Sequence, residues 1–453
     1  MGIDFHKITD LEIEISKLHA LKNPEKRLIA ARDLSRKYPK HPGPHFELAG
    51  CLHELNDPQK FEQLNLYGEV RREWLIQTGL EKLNIDFIWA GMVSGSLGNH
   101  LAIEGLLKAN QYGLRPARKP FLLLSQNTQL RNPALFSYFE PHLITVRDVE
   151  VVNALKGLEF LLTLPLGICL PLNDGCQFME FAANKNEMER EILGMETALL
   201  SINQNHHEMG MQALKKMGLP KDAWYVTLHV REPGYRGETL ENTRGNFRNA
   251  NPLDYLKAIN VITSAGGWVF RMGDSSMTPL PQMSRVIDYA HHEIRSDWMD
   301  VFLGASCLFC IGTSSGYFTI PRFFGVPVIF TNCATSVEYY MFKEYDLYLP
   351  RLLKHKNSEQ HLSFEEMWSP SYSMFSSDKF LQDAGLEHVE NTPEELEAVT
   401  QEMLDKTNKI ENNNLQKRFK VIGESSALKH GGLSLKAFTP ISQNFLAQHT
   451  NLL

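Results

Sequence analysis

The sequence predicts an α/β protein with two doubly wound parallel sheets, preceded by an α-helical extension. Two observations point to this fold class. Apolar residues first recur at helical spacing, and short apolar runs then alternate with helical stretches in two blocks that meet near Gly218. A chain of 453 residues is also too long for one ordinary core. We therefore expect a helical extension over residues 1–83 and α/β domains over 84–219 and 220–453.

The extension is predicted from residues 27–38, whose apolar side chains recur every three or four positions. Prolines interrupt the chain over 39–44, and a second helix is expected over 46–55. This pair is similar to one tetratricopeptide unit, but no second copy follows, so a repeat array is not expected. We expect the helices to cap the α/β body, with recruitment of a protein partner as the alternative.

Three short apolar runs predict the strands of the first α/β domain: 86–90, 121–124 and 143–146. A helix is expected over 101–112, and a helix-rich region over 178–217. Residues 95–100, Gly-Ser-Leu-Gly-Asn-His, open the first of these helices directly after a strand. They lack the Gly-x-Gly-x-x-Gly fingerprint of dinucleotide binding, so a nicotinamide site is not expected.

Five further runs predict parallel strands in the second domain: 224–230, 268–272, 286–288, 308–311 and 328–330. The helices expected between them cover 253–264, 297–305 and 316–324. The remaining chain is mostly polar and helical, and its last helix could pack back across the first domain. Ligands of an open parallel sheet bind beyond the carboxyl ends of its strands, where the strand order reverses.

Four polar segments of the second domain follow strands or begin helices. His229 and Arg231 lie two residues apart at a strand end, where a guanidinium can grip a phosphate with two donors. Residues 271–274, Arg-Met-Gly-Asp, end the next strand, and Asp297 begins a helix. Residues 312–316, Gly-Thr-Ser-Ser-Gly, offer backbone N–H groups and hydroxyls to an anion at a helix start. Together these segments favour a nucleotide-diphosphate site.

Composition narrows the possible partners. Hydrophobic residues make up 43% of the chain and charged residues 22%, the balance of a globular protein. The net charge of −7 and the lack of a Lys/Arg stripe argue against nucleic acid as a partner. No apolar run is long enough to span a bilayer, and the chain does not start like a signal peptide. We expect a cytoplasmic protein, with peripheral attachment to the inner face of the membrane as the alternative.

Two of the six cysteines, Cys307 and Cys310, have the spacing of a redox or zinc motif. They lie in an apolar run that predicts a buried strand, on which residues three apart point to opposite faces. We therefore expect buried, reduced thiols rather than a metal or disulfide pair.

With these residues in view, the sequence resembles a family of bacterial glycosyltransferases built from two Rossmann-like domains, the GT-B type. The motifs that carry this resemblance are at 229–235, 266–274, 286–290, 296–303 and 312–316. The resemblance implies transfer of a sugar from a nucleotide-diphosphate donor to a glycan, lipid-linked or protein acceptor, in polysaccharide or glycoconjugate biosynthesis. It also implies that the first α/β domain faces the acceptor and that the second binds the sugar nucleotide.

A looser similarity links the chain to the fucosyltransferase superfamily, whose Gly-x-x-Gly-Asn-Gln loop, His-x-Arg strand end and late Ser/Thr-rich loop bind a GDP-sugar. Residues 95–99 match the first loop, with His100 in place of Gln. His229 and Arg231 match the strand end, although Glu-Pro-Gly follows where Arg-Gly-Asp is common, and 313–315 match the last loop. A GDP-sugar is therefore favoured as the donor, and the departure after Arg231 leaves the sugar open.

The resemblance also assigns roles to residues. Arg231 would neutralise the departing diphosphate, and Glu232 or His100 would be the general base of an inverting reaction. The implied donor contacts are His229, Arg231, Arg271, Gly273, Asp274, Asp297, Thr313, Ser314, Ser315 and Gly316. The implied cleft loops contain Gly95, Ser96, Gly98, Asn99, Arg248 and Asn249. Because the chain has no Asp-x-Asp motif, we expect neither a metal nor another cofactor.

Two other functions are compatible with the same fold. A sugar-nucleotide epimerase or hydrolase is one, since a fold does not determine the reaction. A non-catalytic helical adaptor with a decayed transferase body is the other. Intact Arg231 and residues 312–316 argue against decay, and a single helical unit does not favour an adaptor.

Overall fold

The computed structural model describes residues 5–55, 57–163, 169–172, 175–178, 198–234, 246–335, 345–369, 371–373, 378–405, 414–429 and 439–453. Every predicted site residue lies within these ranges. The helix-rich region predicted over 178–217 is covered mainly from residue 198 onward, and its part from 179 to 197 lies outside the described residues.

The chain begins with four helices rather than the two that periodicity indicated: α1 Phe5–His19, α2 Pro24–Lys37, α3 Pro42–Glu54 and α4 Lys60–Thr78. The side chain of Asn23 caps α2 by accepting the N–H of Lys26 at 2.8 Å, with a proline at the first helical position. Helices α1 to α3 share a small apolar core that includes Leu18, Leu34 and Leu52.

Helix α4, which lies within the predicted extension, packs against the first sheet. Leu75 packs in one apolar cluster with Phe87. Arg71 donates to Asp86 at 3.2 Å, and Arg115 donates to the second oxygen of this fully buried carboxylate at 2.5 Å. Since a buried carboxylate is costly to leave unpaired, a cut at the predicted boundary after residue 83 would remove a structural partner.

The first sheet is parallel and has the order β1–β2–β3, formed by Ile85–Ile88, Lys119–Leu123 and Ile144–Val146. Its helices are α5 Gly91–Ser94, α6 His100–Gln111, α7 Pro133–Phe139 and α8 Val149–Leu162. A parallel bridge joins Phe87 of β1 to Thr163. Because β2 occupies the other side of β1, the chain order reverses at β1. An antiparallel hairpin that periodicity did not predict follows, β4 Cys169–Leu172 and β5 Gly175–Phe178.

The second sheet contains the five predicted strands and one more, all parallel. They are β6 Tyr225–His229, β7 Trp268–Arg271, β8 Val286–Ile287, β9 Cys310–Gly312, β10 Val328–Cys333 and β11 Leu347–Pro350. Their order, β11–β10–β9–β6–β7–β8, places the switch point between β6 and β9. The associated helices are α9 Gln204–Lys216, α10 Leu256–Ser264, α11 Asp297–Ser306 and α12 Thr319–Phe323. Together the two sheets confirm the predicted α/β fold class.

The carboxyl-terminal part adds strands β12 Leu352–His355 and β13 Leu386–Val389, which are antiparallel, and helices α13 Phe364–Met367, α14 Asp378–Asp383, α15 Pro393–Asp405, α16 Asn414–Lys429 and α17 Gln443–Gln448. The expectation that the last helix crosses back to the first domain is wrong. Glu402 of α15 accepts hydrogen bonds from the Ser442 hydroxyl at 2.8 Å and the Gln443 N–H at 3.0 Å. These bonds hold the start of α17 on α15, in the carboxyl-terminal part of the chain.

The predicted burial of the two cysteines is confirmed, but only one of them lies on a strand. Cys307 caps α11 instead of lying on a strand, while Cys310 begins β9. Both are free and buried, and burial raises the pKa of the Cys307 thiol to about 11. Within the described ranges, no group of three or more His, Cys, Asp or Glu is arranged to hold a metal ion. No helix among the described residues is long and apolar enough to cross a membrane.

Candidate functional site

Two of the four predicted polar segments meet at the switch point of the second sheet. The N–H of Arg231, after β6, donates to the Thr313 hydroxyl at 2.9 Å. The N–H of Thr313, after β9, donates to the His229 carbonyl at 3.2 Å. Ser315 Oγ and His229 Nδ1 are hydrogen-bonded at 3.0 Å. The His-x-Arg strand end and the 312–316 loop therefore form one unit, as the site prediction requires.

His229 is held as a neutral ring at this edge. Its imidazole is stacked on Tyr317, with ring centroids 5.3 Å apart and an angle of 16° between the planes. Burial lowers the pKa of His229 to about 4, and the neighbouring positive charges of Arg271 and Arg231 act in the same direction. At neutral pH this side chain is therefore an uncharged hydrogen-bonding group rather than a cation.

We expect His229 to make the protein less stable as the pH falls from the ordinary imidazole value of 6.5 toward 4. In that window the unfolded chain binds a proton at His229 that the folded chain does not, so acidification favours unfolding. His229→Gln should flatten the slope by about one proton, or about 1.4 kcal/mol per pH unit. Urea unfolding across this range measures the slope, with the exposed His142→Gln as the control. Equal slopes for wild type and His229→Gln would contradict the assignment.

Arg231 is half-buried and supplies positive charge at the switch point. Its Nη1 donates to Asn249 Oδ1, and its carbonyl accepts the N–H of Ala250 at 3.0 Å. Residues 246–250 are thereby fixed against the end of β6. Arg248, predicted in the same cleft loop, is also half-buried, with its guanidinium carbon 5.7 Å from the centre of the Phe247 ring.

Sequence reasoning missed Arg351, which holds this loop in place. Its Nη1 donates to the Phe247 carbonyl at 2.6 Å, and its Nη2 donates to the Asn249 carbonyl and, at 2.8 Å, to Glu390. Its Nε donates to Asn332 Oδ1 at 3.2 Å. No sequence motif marks this residue, because its partners lie far away along the chain.

Arg271 and Glu232 do not fit the roles predicted for them. Arg271 has no exposed surface, and its guanidinium donates to Glu232 at 2.5 Å and to Asp288 at 3.1 Å. Glu232 is 7% exposed and also accepts the N–H of Thr278 at 3.0 Å. The Arg271 guanidinium is buried in an ion pair and is therefore not available to bind a sugar nucleotide. The Glu232 carboxylate, bonded to these partners, is poorly placed to take a proton from an acceptor hydroxyl.

His100 also differs from its predicted role as a base. It is fully buried at the start of α6, with Nδ1 bonded to the Leu97 carbonyl at 3.1 Å and its ring centroid 5.5 Å from that of Phe139. Burial lowers the pKa of His100 to about 4. A base must reach the proton that it removes, so this ring is not placed for an acceptor hydroxyl.

Three other predicted donor contacts lie on the periphery of this edge. Gly273 has φ +146°, and a Cβ there would lie 2.0 Å from Met277 Sδ, so only glycine fits. Asp274 is half-buried and accepts from Ser276 N–H at 2.8 Å. Asp297 is exposed at the start of α11, where its carbonyl accepts from Asn132 Nδ2 of the first unit at 3.1 Å.

The loop after β1 meets the loop after β9. A Cβ on Gly316 would lie 3.0 Å from the backbone nitrogen of Gly98, and the Thr319 hydroxyl lies 3.5 Å from the Leu97 carbonyl. A Cβ on Gly95 would lie 2.7 Å from the Gly91 carbonyl. Residues 95–99 therefore lie against the 312–316 loop, and glycines permit this close contact.

Within that loop, Ser96 and Asn99 are bonded to each other and to the backbone. Ser96 Oγ donates to Asn99 Oδ1 at 3.3 Å, and Asn99 Nδ2 donates to the Gly91 carbonyl at 3.2 Å. These bonds shape the loop that faces the second unit. The capacity of the Ser96 and Asn99 side chains to bind a ligand is accordingly reduced.

The predicted phosphate cradle is smaller than expected. Thr313 is fully buried with its hydroxyl on Arg231, and Ser314 is 3% exposed with its hydroxyl accepting the Ala334 N–H at 3.3 Å. Helix α12, after the 312–316 loop, has only five residues, so the dipole of a long helix is not available there. Among the residues predicted to bind the diphosphate, Arg231 and Ser315 are half-buried and His229 is 8% exposed, so these three keep some exposed surface at the switch point.

Comparison with known proteins gives weak structural likenesses. No protein-family model and no curated relative matches the sequence. A glycosyl transferase family 9 protein from Veillonella parvula DSM 2008 aligns over 71% of this chain and 97% of its own, at 10% identity and a TM-score of 0.44. The ADP-heptose lps heptosyltransferase II of E. coli aligns over 54% and 83%, at 10% identity and a TM-score of 0.33. The iron-containing dodecameric glycosyltransferase TibC of E. coli H10407 aligns over 54% and 57%, at 13% identity and 0.30. The predicted similarity to fucosyltransferases stays a prediction.

Proposed function

We propose that this protein is a glycosyltransferase that binds a nucleotide-diphosphate sugar at the switch point of the second sheet. One observation carries the proposal: half-buried Arg231 and neutral His229 end β6 beside the 312–316 loop, and the 95–99 loop of the first sheet meets them there. Open parallel sheets bind nucleotides at this position, and the contact between the two loops brings residues of the first sheet to the same edge.

The chemistry follows from where charge develops. An acceptor hydroxyl gives its proton to a general base and forms a bond to the anomeric carbon while the bond from that carbon to the diphosphate breaks, and negative charge grows on the departing phosphate. Arg231 would stabilise that charge, with hydrogen bonds from Ser315 and His229 positioning the diphosphate. We propose an inverting reaction that needs no metal. Its general base is neither His100 nor Glu232, because both are buried and bonded elsewhere.

The donor nucleotide is proposed to be GDP, from the resemblance of residues 95–99, 229–231 and 313–315 to a GDP-sugar site. The ADP-linked heptose named for two structural neighbours is the alternative. The acceptor is proposed to be a glycan, a lipid-linked sugar or a protein, and helices α1 to α3 remain a candidate surface for a protein partner. A cytoplasmic location is part of this proposal.

A thermal-shift screen tests the donor site. Purified protein is heated with GDP, ADP, UDP or CMP and their sugars, with EDTA present. We expect one nucleotide to raise the melting temperature, since a ligand at 100 times its Kd stabilises the folded state by about 2.7 kcal/mol. Arg231→Ala should lose that shift. A shift that required a divalent cation would contradict metal independence, and no shift with any nucleotide would overturn the donor-site assignment.

A further inference from the structure

Trp89 is an exposed aromatic residue that the donor site does not use. It follows β1 directly, and 58% of its surface is exposed. Tryptophan is highly buried on average, because packing its ring removes a large apolar surface from water. The ring lies over Gly91, where an added Cβ would be 2.4 Å from two ring carbons. The indole is therefore supported by backbone on one side and open to solvent on the other.

The backbone connects Trp89 to the junction of the two sheets within a few residues. The Gly91 carbonyl accepts the N–H of Gly95 at 2.9 Å and Asn99 Nδ2 at 3.2 Å. The loop that these bonds shape is the one that meets Gly316. Trp89 thus lies at the carboxyl edge of the first sheet, on the segment that leads to the proposed donor site.

A neutral polar loop leaves the neighbouring strand at the same edge. Residues 125–129, Ser-Gln-Asn-Thr-Gln, follow β2, which pairs with β1 so that Leu122 lies opposite Ile88. The N–H of Arg131 donates to the Val93 carbonyl at 2.8 Å, which ties this loop to the segment after Trp89. Four of the five residues are exposed, and none carries a charge.

We propose that Trp89 and residues 125–129 form a subsite for a sugar ring of the acceptor. The C–H groups on one face of a pyranose pack against an aromatic ring, while its hydroxyls pair with amide and hydroxyl side chains that both donate and accept. An anionic lipid headgroup would instead require positive charge, which this loop lacks. The inference rests on the proposed function and narrows it: the acceptor hydroxyl belongs to a carbohydrate.

Glycan binding by three variants tests the subsite. An array of defined oligosaccharides first identifies those that the wild-type protein binds, and calorimetry then measures their affinity. Trp89→Ala should weaken binding about tenfold or more, and Trp89→Phe, which keeps an aromatic face, by less than about threefold. Leu308→Ala is the matched control, since Leu308 is 51% exposed but precedes β9 at the opposite edge of its sheet. Its affinity should equal that of the wild type.

The outcomes separate this inference from the proposed function. Equal binding by Trp89→Ala and wild type would overturn the subsite, as would a wild-type protein that binds a nucleotide but no oligosaccharide on the array. If no nucleotide binds while glycan binding depends on Trp89, the sugar subsite stands and the transferase proposal falls. Melting temperatures of all three variants near that of the wild type confirm that each is folded.

Discussion

Replacing Arg231 with alanine is expected to lower sugar transfer by about 10²- to 10³-fold, the usual loss when one group that stabilises transition-state charge is removed. The same guanidinium binds the diphosphate in the ground state and meets the charge that grows on it during the reaction, so the loss should fall on both KM and kcat. Arg231 is half-buried at the sheet edge and packs outside the core. Its removal should therefore change the free energy of unfolding by less than about 1 kcal/mol.

Release of the nucleotide from the donor that the thermal-shift screen identifies measures the effect, and urea unfolding measures stability. Arg231→Lys is the matched control, because it keeps the positive charge but not the planar fork that can bond two phosphate oxygens. It should retain an intermediate rate. A collapse of stability in Arg231→Ala would show that the residue is structural, and an unchanged rate would place the reaction elsewhere.

Replacing Arg271 with alanine should have the opposite profile and destabilise the fold by about 3–5 kcal/mol, as expected when one partner of a buried ion pair is removed. Its guanidinium is fully buried between Glu232 and Asp288. Without it, the Glu232 carboxylate remains buried and negatively charged with no cation to compensate it.

Urea unfolding of Arg271→Ala beside Arg231→Ala tests this contrast between two arginines at the ends of adjacent strands. Glu232→Gln adds a check on catalysis, because loss of a general base typically slows a reaction about 10²- to 10⁴-fold. We expect Glu232→Gln to slow sugar transfer by much less than 10²-fold. An Arg271→Ala protein of normal stability that failed to bind its nucleotide would restore the donor-binding role predicted from the sequence.

Local pattern alone predicted most of the two sheets. Each of the eight strands expected from apolar runs is present, including β6 and β9, whose ends carry the site. Buried parallel strands are continuous apolar runs, and their ends are marked by polar or glycine residues, so a short window contains the signal. Strands β11 to β13 and the β4–β5 hairpin were missed, which left the carboxyl-terminal part described as helical.

The sequence by itself determined which segments become strands and which polar residues follow them: His229, Arg231 and the 312–316 loop were found in this way. Only the tertiary structure decided which of the predicted residues are buried in ion pairs and which stay partly exposed. Glu232 and Arg271 are 39 residues apart, and Arg351 is 104 residues from the Phe247 carbonyl that it holds. Whether a charge is buried in an ion pair or exposed in a cleft depends on neighbours brought by folding, and periodicity within a short window carries no information about them.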